Sequence, residues 1–267
     1  MRININQCIN IIIKMNYMKS IYKIGIFITG LFLCTACHDI TTADISKVTY
    51  YVTFELDGGD QYLLPVGTSY VEPGVKALEN GVDVTSKMIV TGTEDVNSNK
   101  IGLYTITYSA KNVDGFSNST TRTVFVYDPT VTADISGDYS VDATTSQRVQ
   151  ASNGKIIKYS DMQALYGAGD FSTYVVKLQK VVPGIFSVTD FFGGYYTEGR
   201  AYASAYAMTG YLSLTPSNKL ELCSSYVAGW GTSLDDLTDG VYTPATGNVK
   251  WNASWSGYSF NVVLNKK

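Results

Sequence analysis

From Lys47 onward the chain is a succession of short apolar–polar alternations, each bounded by glycine, proline or aspartate. "KVTYYVTFEL" opens the series as an alternating strand. In "GLYTITYSAK", Tyr104, Ile106 and Tyr108 share one face, while Thr105, Thr107 and Ser109 point the other way. Asp114-Gly115 supplies a tight hairpin turn, and "STTRTVFVY" is the returning strand. The turn signals "DGGD", "PVG", "EPG" and "ENG" space these segments as in a small β-sandwich, expected over residues 47–128.

A short linker, 129–134, follows, with Pro129 ending the last strand of the sandwich. Residues 135–267 are again β-rich. "TYVVKLQKVV" alternates Tyr174, Val176 and Leu178 against Val175, Lys177 and Gln179. Near the end, Trp251, Ala253 and Trp255 line one face of a hairpin arm, and Tyr258, Phe260, Val262 and Leu264 line one face of the other. About eight strands in meander order favour an antiparallel barrel or sandwich. "SDMQALYGAG" is the one helical turn expected there. The fold class is therefore all-β: a small β-sandwich, then an antiparallel β-meander domain, barrel or sandwich.

Composition changes this picture little. With 13% aromatic residues and 21 tyrosines, the chain is too aromatic for disorder. Charge matters more at the start. The first 36 residues carry Arg2, Lys14, Lys19 and Lys23 and no acid; removing them leaves 16 basic against 23 acidic side chains. Nothing in that balance makes a basic footprint for DNA or RNA, so nucleic acid is not expected as a partner.

Lys19 and Lys23 lead into "IGIFITGLFL", an apolar run too short to span a bilayer. "LFLCTAC" resembles the lipobox of bacterial lipoproteins, with Cys34 where leucine is usual and Leu33 one place earlier. The resemblance implies a signal peptide over 1–36, read from Met15 or Met18, lipidation at Cys37, and a polar tether over 37–46. The alternative is an ordinary signal peptide cleaved without lipidation. Each acyl methylene buried would contribute about 0.8 kcal/mol to membrane anchoring. Cys8 and Cys34 would leave with the leader and Cys37 would be acylated. Cys223 is then alone, excluding an intrachain disulfide, and is expected as a packed or half-exposed strand residue.

Residues 102–115 carry the G-x-Y-x-I-x-Y-x-A-x-N-x-x-G pattern of bacterial immunoglobulin-like domains, which they resemble. Such domains mostly act as spacers. In the second half, "ISGDYSVDATTSQR", "DFFGGYY…GR…YAMTGYLSL" and "SSYVAGWGTSLDDLTDGVY" resemble a family of Bacteroidota lipoproteins of unknown function. Members tend to be encoded beside TonB-dependent outer-membrane importers of the starch-utilisation type. The resemblance implies a surface-exposed outer-membrane lipoprotein that binds glycan or peptide for such an importer. The alternative it leaves open is a structural docking subunit without its own ligand.

Catalytic chemistry has few residues to use. His38 is the only histidine and lies in the tether, which excludes histidine triads, bases and metal sites from the folded domains. No phosphate-binding or dinucleotide motif is present, and no cofactor is expected. A hydrolase would have to use paired carboxylates alone, as a glycoside hydrolase does with two carboxyls about 5–9 Å apart, and a non-enzymatic protein is the reading preferred. "SLDDLTDG" gathers Asp235, Asp236 and Asp239. Turn capping, ligand or ion contact, and catalysis are all open to them, though the spacing fails the EF-hand pattern.

The densest aromatic stretch is "DFFGGYYTEGRAYASAYAMTGY", residues 190–211. Its ends are expected in the core. Its middle is expected as an exposed loop in which Tyr195 and Tyr196 offer flat faces and Gly193-Gly194 permits close backbone approach. Arg200 would hydrogen-bond a hydroxyl or carboxylate. Trp230, between two glycines, joins the candidate site, as do Asp235 and Asp236. The competing reading is that these rings only line the sheet core.

Overall fold

The computed structural model describes residues 48–267. The expected signal peptide, the lipidation site at Cys37 and the whole tether lie outside the described residues. The architecture is all-β, an immunoglobulin-like domain followed by a curled antiparallel sheet.

The first domain runs β1 (Val52–Leu56), β2 (Gln61–Pro65), β3 (Val75–Glu79), β4 (Val82–Asp83), β5 (Ile89–Thr91), β6 (Gly102–Lys111) and β7 (Ser117–Tyr127). One sheet has the order β1-β3-β4, the other β2-β7-β6-β5, with β2 parallel to β7. The β6–β7 hairpin is in register from Gly102 opposite Val126 to Lys111 opposite Ser117. Ile106 and Tyr108 are buried with Leu64, Val124 and Val126, as the alternation in the sequence requires.

Arg122, on β7, is the largest fully buried side chain of the described residues, 0% exposed. Its Nε donates to the Gly59 carbonyl at 3.1 Å, and Nη2 donates to those of Asp57 and Gly74 at 2.7 and 3.2 Å. Nη1 pairs with the Glu72 carboxylate. The hydroxyls of Tyr70 and Tyr108 donate to the other Glu72 oxygen, each at 2.6 Å. Partial burial pushes the Glu72 carboxyl up, but these hydrogen bonds and the Arg122 charge outweigh it, holding Glu72 below its ordinary range.

The second domain contains β8 (Gly137–Val141), β9 (Gln147–Gln150), β10 (Ile156–Lys158), the short helix α1 (Met162–Tyr166), β11 (Val175–Val182), β12 (Ile185–Val188), β13 (Thr209–Leu214), β14 (Leu220–Tyr226), β15 (Asp236–Thr243), β16 (Asn248–Trp255) and β17 (Tyr258–Lys266). All ten strands belong to one antiparallel sheet. Its main path is β14-β13-β12-β11-β8-β17-β16-β15, so the first and last strands of the domain pair. The two ends then meet. Lys219 bridges Val241, and the Tyr242 amide donates to the Asn218 carbonyl at 2.9 Å. Gly240 permits this approach, because a Cβ there would sit 2.2 Å from the Leu220 carbonyl oxygen. The sheet thus curls into a barrel around a continuous apolar core. β9 and β10 lie off this path: β9 pairs with the first half of β17, and β10 pairs with β9. They account for the two strands beyond the eight expected.

Candidate functional site

The stretch joining β12 to β13 turns into the barrel rather than away from it. Asp190, only 1% exposed, organises the turn. One of its oxygens accepts the amides of Phe192 and Met208 at 2.9 and 3.2 Å. The other accepts the Gly194 amide at 2.9 Å and the Tyr174 hydroxyl at 3.0 Å. Burial without a cation raises the Asp190 carboxyl above its ordinary value, with these hydrogen bonds pulling the other way. The freed carbonyls are met from the barrel wall. Trp251 Nε1 donates to Phe191 O at 2.8 Å, and the Tyr159 hydroxyl donates to Phe192 O at 2.5 Å.

This overturns the expected exposure of Tyr195 and Tyr196, which are 0% and 7% exposed. Gly193 and Gly194 do have positive φ, +60° and +83°. Their missing side chains, however, make room for the core: a Cβ would fall 2.8 Å from Val262 at one and 2.7 Å from the Tyr174 ring at the other. Ring burial at roughly 1.5–3 kcal/mol each outweighs leaving the loop in solvent.

Tyr196 is nevertheless the floor of a surface. Its ring lies 4.7 Å from Trp230, 5.8 Å from Tyr202 and 6.0 Å from Trp255, centroid to centroid. Tyr206 packs 4.7 Å from Trp230 and 5.2 Å from Tyr202, and Trp230 and Trp255 lie 4.8 Å apart. Tyr202 is exposed, while Tyr206, Trp230 and Trp255 are half-buried. Gly229 is required here, since a Cβ would meet the Tyr206 ring at 2.5 Å. Trp255 Nε1 donates to Thr232 Oγ1 at 3.0 Å, which fixes the indole. The result is an amphipathic ledge of four rings over a buried tyrosine.

Two guanidinium groups border it. Arg148, on β9 and only 9% exposed, lies 5.1 Å from the Tyr195 centroid and 4.5 Å from that of Tyr258. Arg200 lies over Tyr166 at 4.2 Å and near Tyr202 at 5.6 Å. Burial pushes the Tyr196 hydroxyl up to about 12, and both arginine charges oppose that rise. Both cations therefore act on one phenol. Arg148 Nε and the Tyr195 hydroxyl are buried without a hydrogen-bond partner among the described residues.

Of the residues singled out from sequence, Tyr195, Tyr196, Arg200 and Trp230 come together here. Asp235 and Asp236 serve the backbone instead. Asp235 Oδ2 accepts the Ser256 amide at 2.8 Å, capping the turn after Trp255. Asp236, exposed on β15, accepts the Leu237 amide at 2.8 Å. Asp239 lines a separate cavity of about 190 Å³ with Lys250 and Asn252. Cys223 is half-buried on β14, and burial pushes its thiol up to about 11. Sequence reasoning missed Arg148, Tyr166, Trp255 and Tyr258 as members of the site, and assigned Tyr202 and Tyr206 to the core. For Arg148 the sequence offers only an arginine within the strand-like "SQRVQ"; its place opposite the buried Phe260 is set by the register of β9 on β17.

A family model described as a C-terminal domain matches residues 128–266. The model for the bacterial surface protein, Ig-like domain, matches residues 54–126. The lipoprotein BT2262 from Bacteroides thetaiotaomicron is 37% identical, the match covering 81% of this chain and 100% of that one, with a TM-score of 0.42. The chain belongs to the family of that lipoprotein. Two further solved structures match at 16% and 17% identity, with TM-scores of 0.28 and 0.26. Both are from Clostridium perfringens ZmpB: the M60 catalytic domain with CBM51-1 and CBM51-2, and CBM51-2 in complex with GlcNAc with INT domains. They cover 53% and 51% of this chain, and 15% and 31% of their own. At that level of similarity they carry no functional inference. No curated protein matches the chain.

Proposed function

We propose that this BT2262-family protein is a lipid-anchored component of the bacterial cell envelope that captures glycan for an outer-membrane importer. It acts as a binding module, without catalysis. The observation that carries this reading is the ledge of Tyr202, Tyr206, Trp230 and Trp255 over Tyr196. Sugar rings have apolar C–H faces and hydroxyl edges, and they suit rings that combine flat faces with phenol and indole donors. The "LFLCTAC" segment and a family member that is a lipoprotein support anchoring at Cys37. The immunoglobulin-like domain would then stand between anchor and ledge in the chain.

The test is retention of the purified full chain on a panel of immobilised polysaccharides and oligopeptides, alongside Trp230→Ala and the double variant Tyr202→Ala/Tyr206→Ala. Glycan retention should fall roughly five- to tenfold in each variant, since one stacking face contributes about 1–1.5 kcal/mol. Their unfolding midpoints should change little. Retention on oligopeptides alone would replace the glycan with a peptide ligand. Retention on nothing would identify a docking subunit of the importer instead.

A further inference from the structure

Arg148 is out of place for a structural residue. Its cross-strand neighbours are buried Phe260 on β17 and buried Ile157 on β10. A cation at such a position is costly unless an anion or several carbonyls compensate it. Neither does. The ion pairs of the described residues join Arg122 to Glu72 and Lys180 to Asp134, and neither involves Arg148 or Arg200. Arg148 is held against the rings of Tyr195 and Tyr258 with the Tyr196 hydroxyl beside it, a neutral partner that supplies no counter-charge, and its Nε–H points at no acceptor. Beside it the Tyr195 hydroxyl is also buried and unpartnered, with Tyr166 adjacent but outside hydrogen-bond geometry. Arg200, stacked on Tyr166, acts on the same Tyr196 phenol.

We infer that Arg148, with Arg200 and the Tyr195 hydroxyl, forms an anion subsite at the border of the ring ledge, and that the captured ligand bears a carboxylate. A carboxylate matches the planar, two-pronged edge of a guanidinium, and ring contacts restrain that group in place before a ligand arrives. The phenol adds a third donor. Bulk charge does not explain such a preference, because the chain carries a formal net charge of −3 and would repel anions overall. This inference rests on the ledge being a binding surface. A carboxylate can be carried by a hexuronic acid or by the end of a peptide, and each source has a neutral counterpart with which it can be compared.

The experiment measures binding of the full chain to polygalacturonate and to its methyl-esterified form, and to oligopeptides with a free or an amidated C-terminus. Dextran sulfate serves as a control for charge alone. Polygalacturonate should bind at least tenfold more tightly than the ester. Arg148→Met should lower that binding by the same factor, roughly tenfold or more, to the level of the ester. The ester comparison uses unaltered protein, so it decides the matter even if the variant fails to fold. Equal binding of acid and ester would overturn the carboxylate inference and leave the ledge reading standing. Preference for free over amidated peptides, with no glycan bound, would uphold the carboxylate and overturn the glycan. Dextran sulfate binding as strongly as polygalacturonate, or no binding to any probe, would overturn the inference.

Discussion

In the immunoglobulin-like domain, Arg122 directs its donors to Glu72 and to the carbonyls of Asp57, Gly59 and Gly74. In the barrel, Arg148 is almost as buried, yet it has two aromatic rings where Arg122 has a carboxylate. Burial is therefore not what separates them. The sandwich arginine completes a network that ties β7 to the loops around Asp57 and Gly74, and that network is closed. The barrel arginine leaves Nε open next to an open phenol. A satisfied buried charge marks architecture, while an unsatisfied one beside a surface ledge marks a place for a ligand. The buried carboxylates make the same contrast. Glu72 has a cation and is held below its ordinary range; Asp190 has amides, a phenol and the Thr197 hydroxyl but no cation, and is held above it.

The largest expected effect is on the closed network. Arg122→Met leaves the Glu72 carboxylate without its cation and strands the Asp57 and Gly59 carbonyls, and should lower stability by about 3–5 kcal/mol in urea unfolding. Ligand retention by the fraction that remains folded should not change. A loss below about 1 kcal/mol would mean that the network is not structural. Asp190→Asn comes next. It places an amide donor against other donors at the turn that carries Tyr195 and Tyr196, and should cost about 2–3 kcal/mol. Here retention should fall as well, since the floor of the ledge depends on that turn. A variant of normal stability and retention would separate the turn from the site.

Acid should divide the two domains with opposite signs. A depressed pKa means that the Glu72 contribution is present above its unfolded value, near 4.3, and is lost as pH falls through the lower folded value. A raised pKa means that the Asp190 contribution is full below about 3.9 and is lost as pH rises through the higher folded value. Hydrogen exchange resolved by domain between pH 6 and pH 3 should show Glu72→Gln flattening the acid loss of the sandwich. Asp190→Asn should remove an opposing slope in the barrel. Slopes of the same sign in both domains would contradict the assignment.

Much of this contrast was hidden in the sequence for physical reasons. The faces of β6, the Asp114-Gly115 turn and α1 were legible because period-2 alternation and turn chemistry are local. Closure of the barrel through Lys219 and Val241 was not, since it joins strands with no shared turn. Gly193-Gly194 misled because positive φ serves an inward turn as well as an outward one; only the proximity of Val262 and Tyr174 decides between them. Trp230 and Arg200 were recognisable from adjacent glycines and rings. Arg148 was not, because its significance depends on a register that places it opposite Phe260. For Asp235 and Asp236 the sequence left turn capping, ligand contact and catalysis open, and their hydrogen bonds go to backbone amides, as those of clustered aspartates in turns often do.

One comparison reaches the central claim directly: the unfolding midpoint of Arg148→Met, measured beside its binding to polygalacturonate. If Arg148 is held open for a ligand, replacing it with an apolar side chain of similar length should leave the midpoint unchanged or raise it, while binding falls to the level of the methyl ester. A midpoint lowered as far as that of Arg122→Met, with binding by the folded fraction intact, would show Arg148 to be a structural residue and contradict the account.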